Sequence, residues 1–208
     1  MSAKSAIRNE MRQLLKSLSP TWVGQVSLEI NHRLLDLFAL LPNSPKQILG
    51  WAPAFPGEVN LSSLFAAINS ETESLKATCY LPKVEDDLSM SFISITTSSQ
   101  NLSPSTLGIP EPEIGSGVSY SPSLEVAPTT LVLVPGLAFT TTGARLGRGK
   151  GCYDRFLSRP ELKGAIKIGV CFASQLVSSI PTDEHDISVD FICCEERAID
   201  CHRERGDI

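Results

Sequence analysis

Cations and glycines alternate in the segment between residues 143 and 151. The cations are Arg145, Arg148 and Lys150, and the glycines are Gly143, Gly147, Gly149 and Gly151. Glycine lets the backbone adopt positive φ and approach a ligand closely. Backbone N–H groups in such a loop suit phosphate oxygens, arginine adds bidentate contacts, and lysine adds a point charge. The segment therefore predicts a site for a polyphosphate such as ATP.

The surroundings of this segment favour a ligand site over a flexible basic surface loop. An apolar run at residues 130–134 precedes it, and a helix is predicted to begin at about Gly151. Ligands of α/β proteins bind where strands end at their carboxyl side. A Walker P-loop does not fit, because Ala144 takes the place of its first glycine and Gly151 that of its Ser or Thr. The G-x-G-x-x-G pattern also fails, since the spacing here is G-x-G-x-G.

Two further features flank this predicted phosphate loop. Asp154 follows it directly and is suited either to Mg²⁺ that bridges phosphates or to the dipole of a helix's first turn. Lys4 and Arg8 are one turn apart in a predicted amphipathic helix over residues 4–18 and lie on the flank of its apolar stripe. From there both cations can reach into a cleft.

The elements that must position these residues alternate between helix and strand. Ser19 and Pro20 predict the start of a second helix, and a turn is expected at residues 53–57. Strands are predicted at residues 47–52, 77–81 (ended by Pro82), 91–95, 130–134, 166–172 and 191–194, the last strand, with a short helix at 61–68. Residues 97–129 are expected to form a long ordered loop. We predict one domain over residues 1–208, a three-layer α/β/α fold with a mostly parallel central sheet and N-terminal helices.

Composition excludes several classes of function. The net charge of −5 gives no global field for nucleic acid or an anionic membrane, and no apolar run is long enough to span a bilayer. The six cysteines have no C-x-x-C spacing, which argues against zinc and favours free thiols in a reducing cytoplasm. We expect a cytoplasmic protein that acts on a small molecule, without nucleic-acid or membrane partners, and is a monomer.

Beyond these patterns, the segment PGLAF…G.RLGRGKG.YDRFL resembles the signature of 5-formyltetrahydrofolate cyclo-ligases, also called methenyltetrahydrofolate synthetases. Weaker similarity covers most of the chain and includes Lys4 with Arg8, residues 57–59, 80–83 and 108–112, and His185-Asp186. The chain departs from the family pattern at Cys152, Thr140, Thr130 and Asn60.

The resemblance implies a folate-metabolising ligase that uses ATP and Mg²⁺ to convert 5-formyltetrahydrofolate to 5,10-methenyltetrahydrofolate, ADP and phosphate. The implied ATP contacts are Lys4, Arg8, Arg145, Leu146, Gly147, Arg148, Gly149, Lys150, Gly151, Cys152 and Tyr153. The implied substrate contacts are Pro53, Phe55, Glu58 and Tyr153. Arg148, Lys150 and Tyr153 are the implied catalytic residues, and Asp154 and Asp186 the implied metal ligands.

Two other functions compete with this prediction. One is a non-catalytic module that binds a nucleotide or sugar phosphate, and the other is an ATP-dependent kinase or ligase for another heterocycle. A phosphate sensor needs neither Asp154 nor Glu58, so these carboxylates distinguish it from the cyclo-ligase.

Overall fold

A computed structural model describes residues 2–70, 75–96, 102–105, 108–113 and 115–206 of the chain. Within these ranges a seven-stranded sheet has the order β11 (Ala198–Asp200), β10 (Phe191–Cys193), β9 (Ile166–Val170), β6 (Thr130–Val134), β1 (Gln47–Leu49), β2 (Thr78–Val84) and β3 (Met90–Ile95). Its inner pairs are parallel, and only the edge strands β3 and β11 run antiparallel to their neighbours. The predicted mostly parallel sheet is confirmed.

The elements follow one another in this order. The sheet strands are β1 (Gln47–Leu49), β2 (Thr78–Val84), β3 (Met90–Ile95), β6 (Thr130–Val134), β9 (Ile166–Val170), β10 (Phe191–Cys193) and β11 (Ala198–Asp200). Two small hairpins consist of β4 (Leu102–Pro104) with β5 (Pro110–Pro112) and of β7 (Ala138–Phe139) with β8 (Arg145–Leu146). The helices are α1 (Ala3–Ser17), α2 (Pro20–Leu40), α3 (Ser62–Ile68), α4 (Cys152–Leu157) and α5 (Cys201–Arg205).

Alternating side chains of the strands divide the core into two layers. In β6, Leu131 and Leu133 belong to one apolar cluster, whereas Val132 and Val134 belong to the other. The first cluster includes α1, α2 and α3, and the second includes α4 and α5. Because successive side chains of a strand point to opposite faces, helices cover both faces of the sheet. This confirms the three-layer α/β/α architecture.

The two N-terminal helices begin at residues that cap them. The side chain of Ser2 accepts from the amide of Ser5, and that of Ser19 accepts from the amide of Trp22. Met11 and Leu15 bury the apolar face of α1, as its periodicity predicts. This leaves its flank for the polar residues that bear on the site.

Two strand predictions are wrong, and a third strand, predicted at residues 47–52, ends at Leu49. β2 continues through Pro82 to Val84, because β1 ends opposite Tyr80 and leaves β2 with a neighbouring strand on the β3 side only. Proline is tolerated at such an edge, where no second ladder needs its missing N–H. Residues 191–194 are not the last strand, since β11 pairs with β10 through a tight turn. Its three residues are too few to show a strand alternation in the sequence.

The long loop predicted at residues 97–129 contains the β4–β5 hairpin and a short 3₁₀-helix, Ala127–Thr129. Residues 97–101, 106–107 and 114 of that prediction lie outside the described residues. All six cysteines have free thiols. No described helix has both the length and the apolar character needed to cross a bilayer.

Candidate active site

A cavity of about 520 Å³ opens beyond the carboxyl ends of β1 and β6. Trp51, which comes shortly after β1, lines the cavity. Pro135 and Gly136, which come directly after β6, line it as well. α1 closes one side, and the segment from β8 to α4 closes another. The volume is in the range of small-molecule sites, and the position is where parallel sheets place them.

The charge of the cavity wall is positive although the chain as a whole is acidic. Six cationic side chains line it against three carboxylates, which leaves an excess of three positive charges. The cations are Lys4, Arg8, Arg12, Arg145, Arg148 and Lys150, and the carboxylates are Glu58, Asp154 and Asp186. A local field of this sign attracts a polyphosphate to a protein whose net charge would repel it.

The loop of residues 147–151 presents backbone donors that the described chain leaves unused. None of its amide N–H groups donates a hydrogen bond to a described acceptor. Gly149 and Gly151 have φ of +105° and +69°, in the region that favours glycine. Amides that have no acceptor within the protein are available to bind the oxygens of an anion.

α1 holds this loop and a more distant segment through cations spaced four residues apart. Arg8 Nε donates to the carbonyl of Gly147 at 3.0 Å. Lys4 Nζ lies 2.6 Å from both Asp183 and Asp186. These hydrogen bonds raise the pKa of Lys4 above its ordinary value. Burial pushes the pKa of Asp186 upward, but the hydrogen bonds from Lys4 and the amide of Asp183 outweigh it and lower the pKa overall. Both groups are therefore charged near neutral pH.

The turn that carries Glu58 forms the wall opposite the loop. Glu58 Oε2 accepts from the amides of Ala54 and Phe55 at 2.8 and 3.2 Å. Gly57 has φ of +75°, and a Cβ there would meet the Leu15 carbonyl of α1 at 2.5 Å. Only glycine therefore lets the turn pack this closely on α1. The turn holds its own carboxylate rigidly in the cavity.

Arg148 connects the two walls. Its Nη2 and Nε lie 2.8 and 3.2 Å from Glu58 Oε1, and its guanidinium carbon is 3.8 Å from the centroid of the Phe55 ring. The ion pair and the cation–π contact hold the guanidinium from two directions. The sequence predicts Arg148 as a phosphate contact and Glu58 as a folate contact, but in this structure they bind each other.

Arg145 and Asp154 form a second ion pair at the floor of the cavity. Their side chains meet at 2.6 Å, and only 4% of the arginine side chain is exposed. Tyr153 lies nearby, with Arg145 5.8 Å from its ring centroid. Its hydroxyl is buried with no hydrogen-bond partner among the described residues, and burial raises its pKa well above the ordinary value. Tyr153 is therefore neutral, and its hydroxyl has a hydrogen bond to offer.

The donor set suits Mg²⁺ that arrives with phosphate rather than a metal centre made by protein alone. Among the described residues, no three His, Cys, Asp or Glu side chains are grouped for a metal. Mg²⁺ usually takes one or two carboxylates together with phosphate oxygens and water. Asp154 and Asp186 line the same cavity, and their described hydrogen bonds use Asp154 Oδ1 and Asp186 Oδ2. Their other oxygens have no described hydrogen bond and are free to bind a metal ion.

The structure brings together every candidate residue of the sequence except Pro53 and Gly143. Gly143 has φ of +90° in the β7–β8 turn, where its amide donates to the carbonyl of Thr140, and it does not line the cavity. Pro53 is half-buried in the Glu58 turn and does not line the cavity, although Ala52 and Ala54 beside it do. The sequence reasoning missed Arg12, which lines the cavity one turn beyond Arg8. The four-residue spacing of Lys4, Arg8 and Arg12 was the signal that could have found it. Met90 and Ile109 also line the cavity, but apolar residues at such positions carry no distinctive signal.

Comparisons with known proteins bear directly on this cavity. The model of the 5-formyltetrahydrofolate cyclo-ligase family matches residues 1–195, which include every cavity-lining residue. The chain belongs to this family. A probable 5-formyltetrahydrofolate cyclo-ligase of Caenorhabditis elegans is 31% identical over 96% of this chain and 98% of its own length.

Two further relatives agree with the cyclo-ligase family. The 5-formyltetrahydrofolate cyclo-ligase of Mus musculus is 29% identical over 94% of this chain and 95% of its own. The NMR structure of 5,10-methenyltetrahydrofolate synthetase from Aquifex aeolicus is 30% identical, with a TM-score of 0.76 over 96% of this chain and 93% of that one. Both similarities extend over nearly the whole length of each chain.

None of the departures from the cyclo-ligase pattern replaces a charged group that lines the cavity. Cys152 lines the cavity, with its sulfur 3.9 Å from Arg155 Nη2. The Thr140 hydroxyl accepts from the amide of Ala144 and shares a hydrogen bond with Thr142, which ties the β7–β8 hairpin. This member of the family therefore keeps the cations, the loop glycines and the three carboxylates.

Proposed function

We propose that this protein converts 5-formyltetrahydrofolate and ATP to 5,10-methenyltetrahydrofolate, ADP and phosphate. The observation that carries the proposal is the division of one cavity into two walls of opposite chemistry. One wall offers cations and unpaired amides, which suit phosphates, and the other presents a rigidly held carboxylate beside an aromatic ring. Membership of the cyclo-ligase family supports this substrate pair.

On the nucleotide side, residues 145–153 would surround the phosphates of ATP. Lys150 has no described ion-pair partner, so its ammonium is available to the γ-phosphoryl group. Arg148 would leave Glu58 for the phosphates, and Lys4 and Arg8 would add charge from α1. Phosphoryl transfer depends mainly on such positioning and charge neutralisation.

On the folate side, Glu58 would accept hydrogen bonds from the donor-rich edge of the pterin, while Phe55 and Tyr153 supply apolar walls. The formamide oxygen at nitrogen-5 is a poor leaving group until it carries the γ-phosphoryl group. Nitrogen-10 then attacks the formyl carbon, which closes the five-membered ring. Nitrogen-10 releases its proton to solvent, and departure of phosphate breaks the C–O bond and leaves the methenyl C=N bond.

Asp154 and Asp186 would hold Mg²⁺ against the phosphates, where the cation neutralises charge on the leaving ADP. Without it, the two carboxylates would repel a nucleotide that carries about four negative charges at neutral pH. In the structure, Arg145 and Lys4 already offset them. These arginine and lysine partners would also hold the carboxylates in place for the metal.

The remaining expectations are a cytoplasmic location and a monomeric state. Six free thiols suit a reducing compartment. Size-exclusion chromatography with light scattering would give a mass of one chain, about 22.5 kDa, if the protein is a monomer.

The test of the proposed activity is an absorbance assay. Protein, ATP, Mg²⁺ and 5-formyltetrahydrofolate are combined, and the near-ultraviolet absorption of the methenyl product is followed, with one ADP expected for each ring closed. Omitting ATP or protein is the control. ADP release without methenyl absorbance would point to a kinase or ligase for another heterocycle, and no turnover at all would point to a binding module.

A further inference from the structure

We infer that Arg12 is a positioning residue that fixes the backbone of the phosphate loop, an inference that rests on the proposed nucleotide site. Arg12 Nη2 donates to the carbonyl of Arg148 at 3.2 Å. One turn earlier, Arg8 Nε donates to the carbonyl of Gly147 at 3.0 Å. Two consecutive loop carbonyls are thus bound by two arginines from one face of one helix.

These two bonds determine where the neighbouring amides point. In a planar trans peptide the C=O and the following N–H point in opposite directions, and no cis peptide occurs in the described chain. With the carbonyls of Gly147 and Arg148 directed at α1, the N–H groups of Arg148 and Gly149 face away from it. Neither N–H has a described acceptor. The arginines therefore keep two loop donors available to an anion.

The loop needs such support because its own conformation is permissive. Gly147 and Gly149 flank Arg148, and glycine loses more conformational freedom than any other residue when it is ordered. α1 is a rigid support, since Met11 and Leu15 anchor it in the core. Arg12 and Arg8 transfer that rigidity to the loop, so the loop is ordered before the nucleotide arrives and less affinity is lost to ordering it.

Arg12 differs from Arg145 and Arg148 in how its charge is balanced. Arg145 and Arg148 each face a carboxylate, whereas the second described bond of Arg12 is a long one of 3.4 Å to the amide oxygen of Asn9. Its charge therefore contributes to the positive excess of the cavity while its hydrogen bond holds the loop.

The experiment compares Arg12→Ala, Arg12→Lys and Lys16→Ala. Lys16 is the matched control, because it is an exposed cation one turn further along α1 and does not line the cavity. ATP binding is measured by calorimetry without folate, and the KM values for ATP and for 5-formyltetrahydrofolate are measured separately. Melting temperatures report on the fold.

We expect Arg12→Ala to weaken ATP binding and raise its KM about tenfold, the effect of one charged hydrogen bond. The KM for folate and the melting temperature should stay near wild type. Arg12→Lys, which keeps a charged donor, should recover most of the loss, and Lys16→Ala should behave as wild type.

Three results would overturn the inference: unchanged ATP binding in Arg12→Ala, an equal rise of both KM values with a lowered melting temperature, or an Arg12→Lys variant as weak as alanine. Failure of the proposed function looks different. In that case the wild-type protein itself forms no methenyl product, whatever its ATP affinity.

Discussion

The two walls of the cavity use their backbone amides in opposite ways. In the turn, the amides of Ala54 and Phe55 bind Glu58 of the same turn, so the donors are satisfied locally. In the loop of residues 147–151, the amides have no described acceptor and the carbonyls of Gly147 and Arg148 are held by α1. The amides of the turn are hydrogen-bonded without a ligand, and the turn presents the Glu58 carboxylate as an acceptor. The amides of the loop are available as hydrogen-bond donors.

Because of this difference, the two walls suit ligands of different chemistry. A self-satisfied turn with one carboxylate suits a neutral heterocycle that carries N–H groups. A loop of unpaired donors and cations suits an anion, since only acceptor atoms complete it. Arg148 crosses between the walls, so we expect its removal to affect the binding of both ligands.

We expect the largest effect from Arg148→Ala, with kcat/KM for ATP lowered about a hundredfold by the loss of charged contacts to phosphate. The same change frees Glu58 from its ion pair, so the KM for folate should also change. Steady-state kinetics in both substrates measure the effect, with circular dichroism to verify the fold. Wild-type ATP kinetics would remove Arg148 from the nucleotide wall.

Glu58→Gln should have the next largest effect, a fall of about thirtyfold in kcat/KM for 5-formyltetrahydrofolate. The amide is close in shape to the carboxylate but loses the charge that binds the pterin donors. Glu113→Gln is the control, because Glu113 directly follows β5 and does not line the cavity. A rise in the KM for ATP alone would show that Glu58 serves the nucleotide wall.

Asp154→Asn should lower Mg²⁺-dependent turnover about tenfold and also destabilise the fold by about 1–2 kcal/mol. The stability loss arises because Arg145, almost fully buried, keeps its charge without the partner at 2.6 Å. Magnesium titrations of turnover and denaturant unfolding separate the two effects. A destabilised variant with normal magnesium dependence would leave Asp154 as the partner of Arg145 and remove it from the metal site.

The smallest effect, a change in folding stability, should come from removing the ion pair between Lys4 and Asp186. The lowered pKa of Asp186 means that its contribution to stability is present above the ordinary value of 3.8 and is lost as pH falls through the lower folded pKa. The raised pKa of Lys4 means that its contribution is present below 10.5 and is lost only as pH rises past the higher folded pKa. The stability difference between wild type and Lys4→Met should thus be constant from pH 5 to 9. A difference that changes steeply within that window would contradict the ion pair.

Much of the fold could be predicted because the sequence patterns of its main helices and strands extend over several residues. The 15-residue α1 and the fully apolar β6 display their period or burial clearly. The three-residue β11 and the continuation of β2 past Pro82 could not, since they depend on which neighbours the sheet provides. At the site, the loop glycines and cations are visible in the sequence, but the pairing of Arg148 with Glu58 joins residues 90 positions apart. Only the folded chain brings that pair together.

In our proposal, one wall of the cavity binds ATP and the other binds folate. The decisive measurement is the KM for both substrates in Lys150→Ala and Glu58→Gln, because neither variant removes Arg148, the residue that crosses the cavity. We expect a crossed result: Lys150→Ala raises the KM for ATP about tenfold and leaves that for 5-formyltetrahydrofolate near wild type, while Glu58→Gln does the reverse. If both variants raised the KM for the same substrate, the division of the cavity into two walls would be wrong.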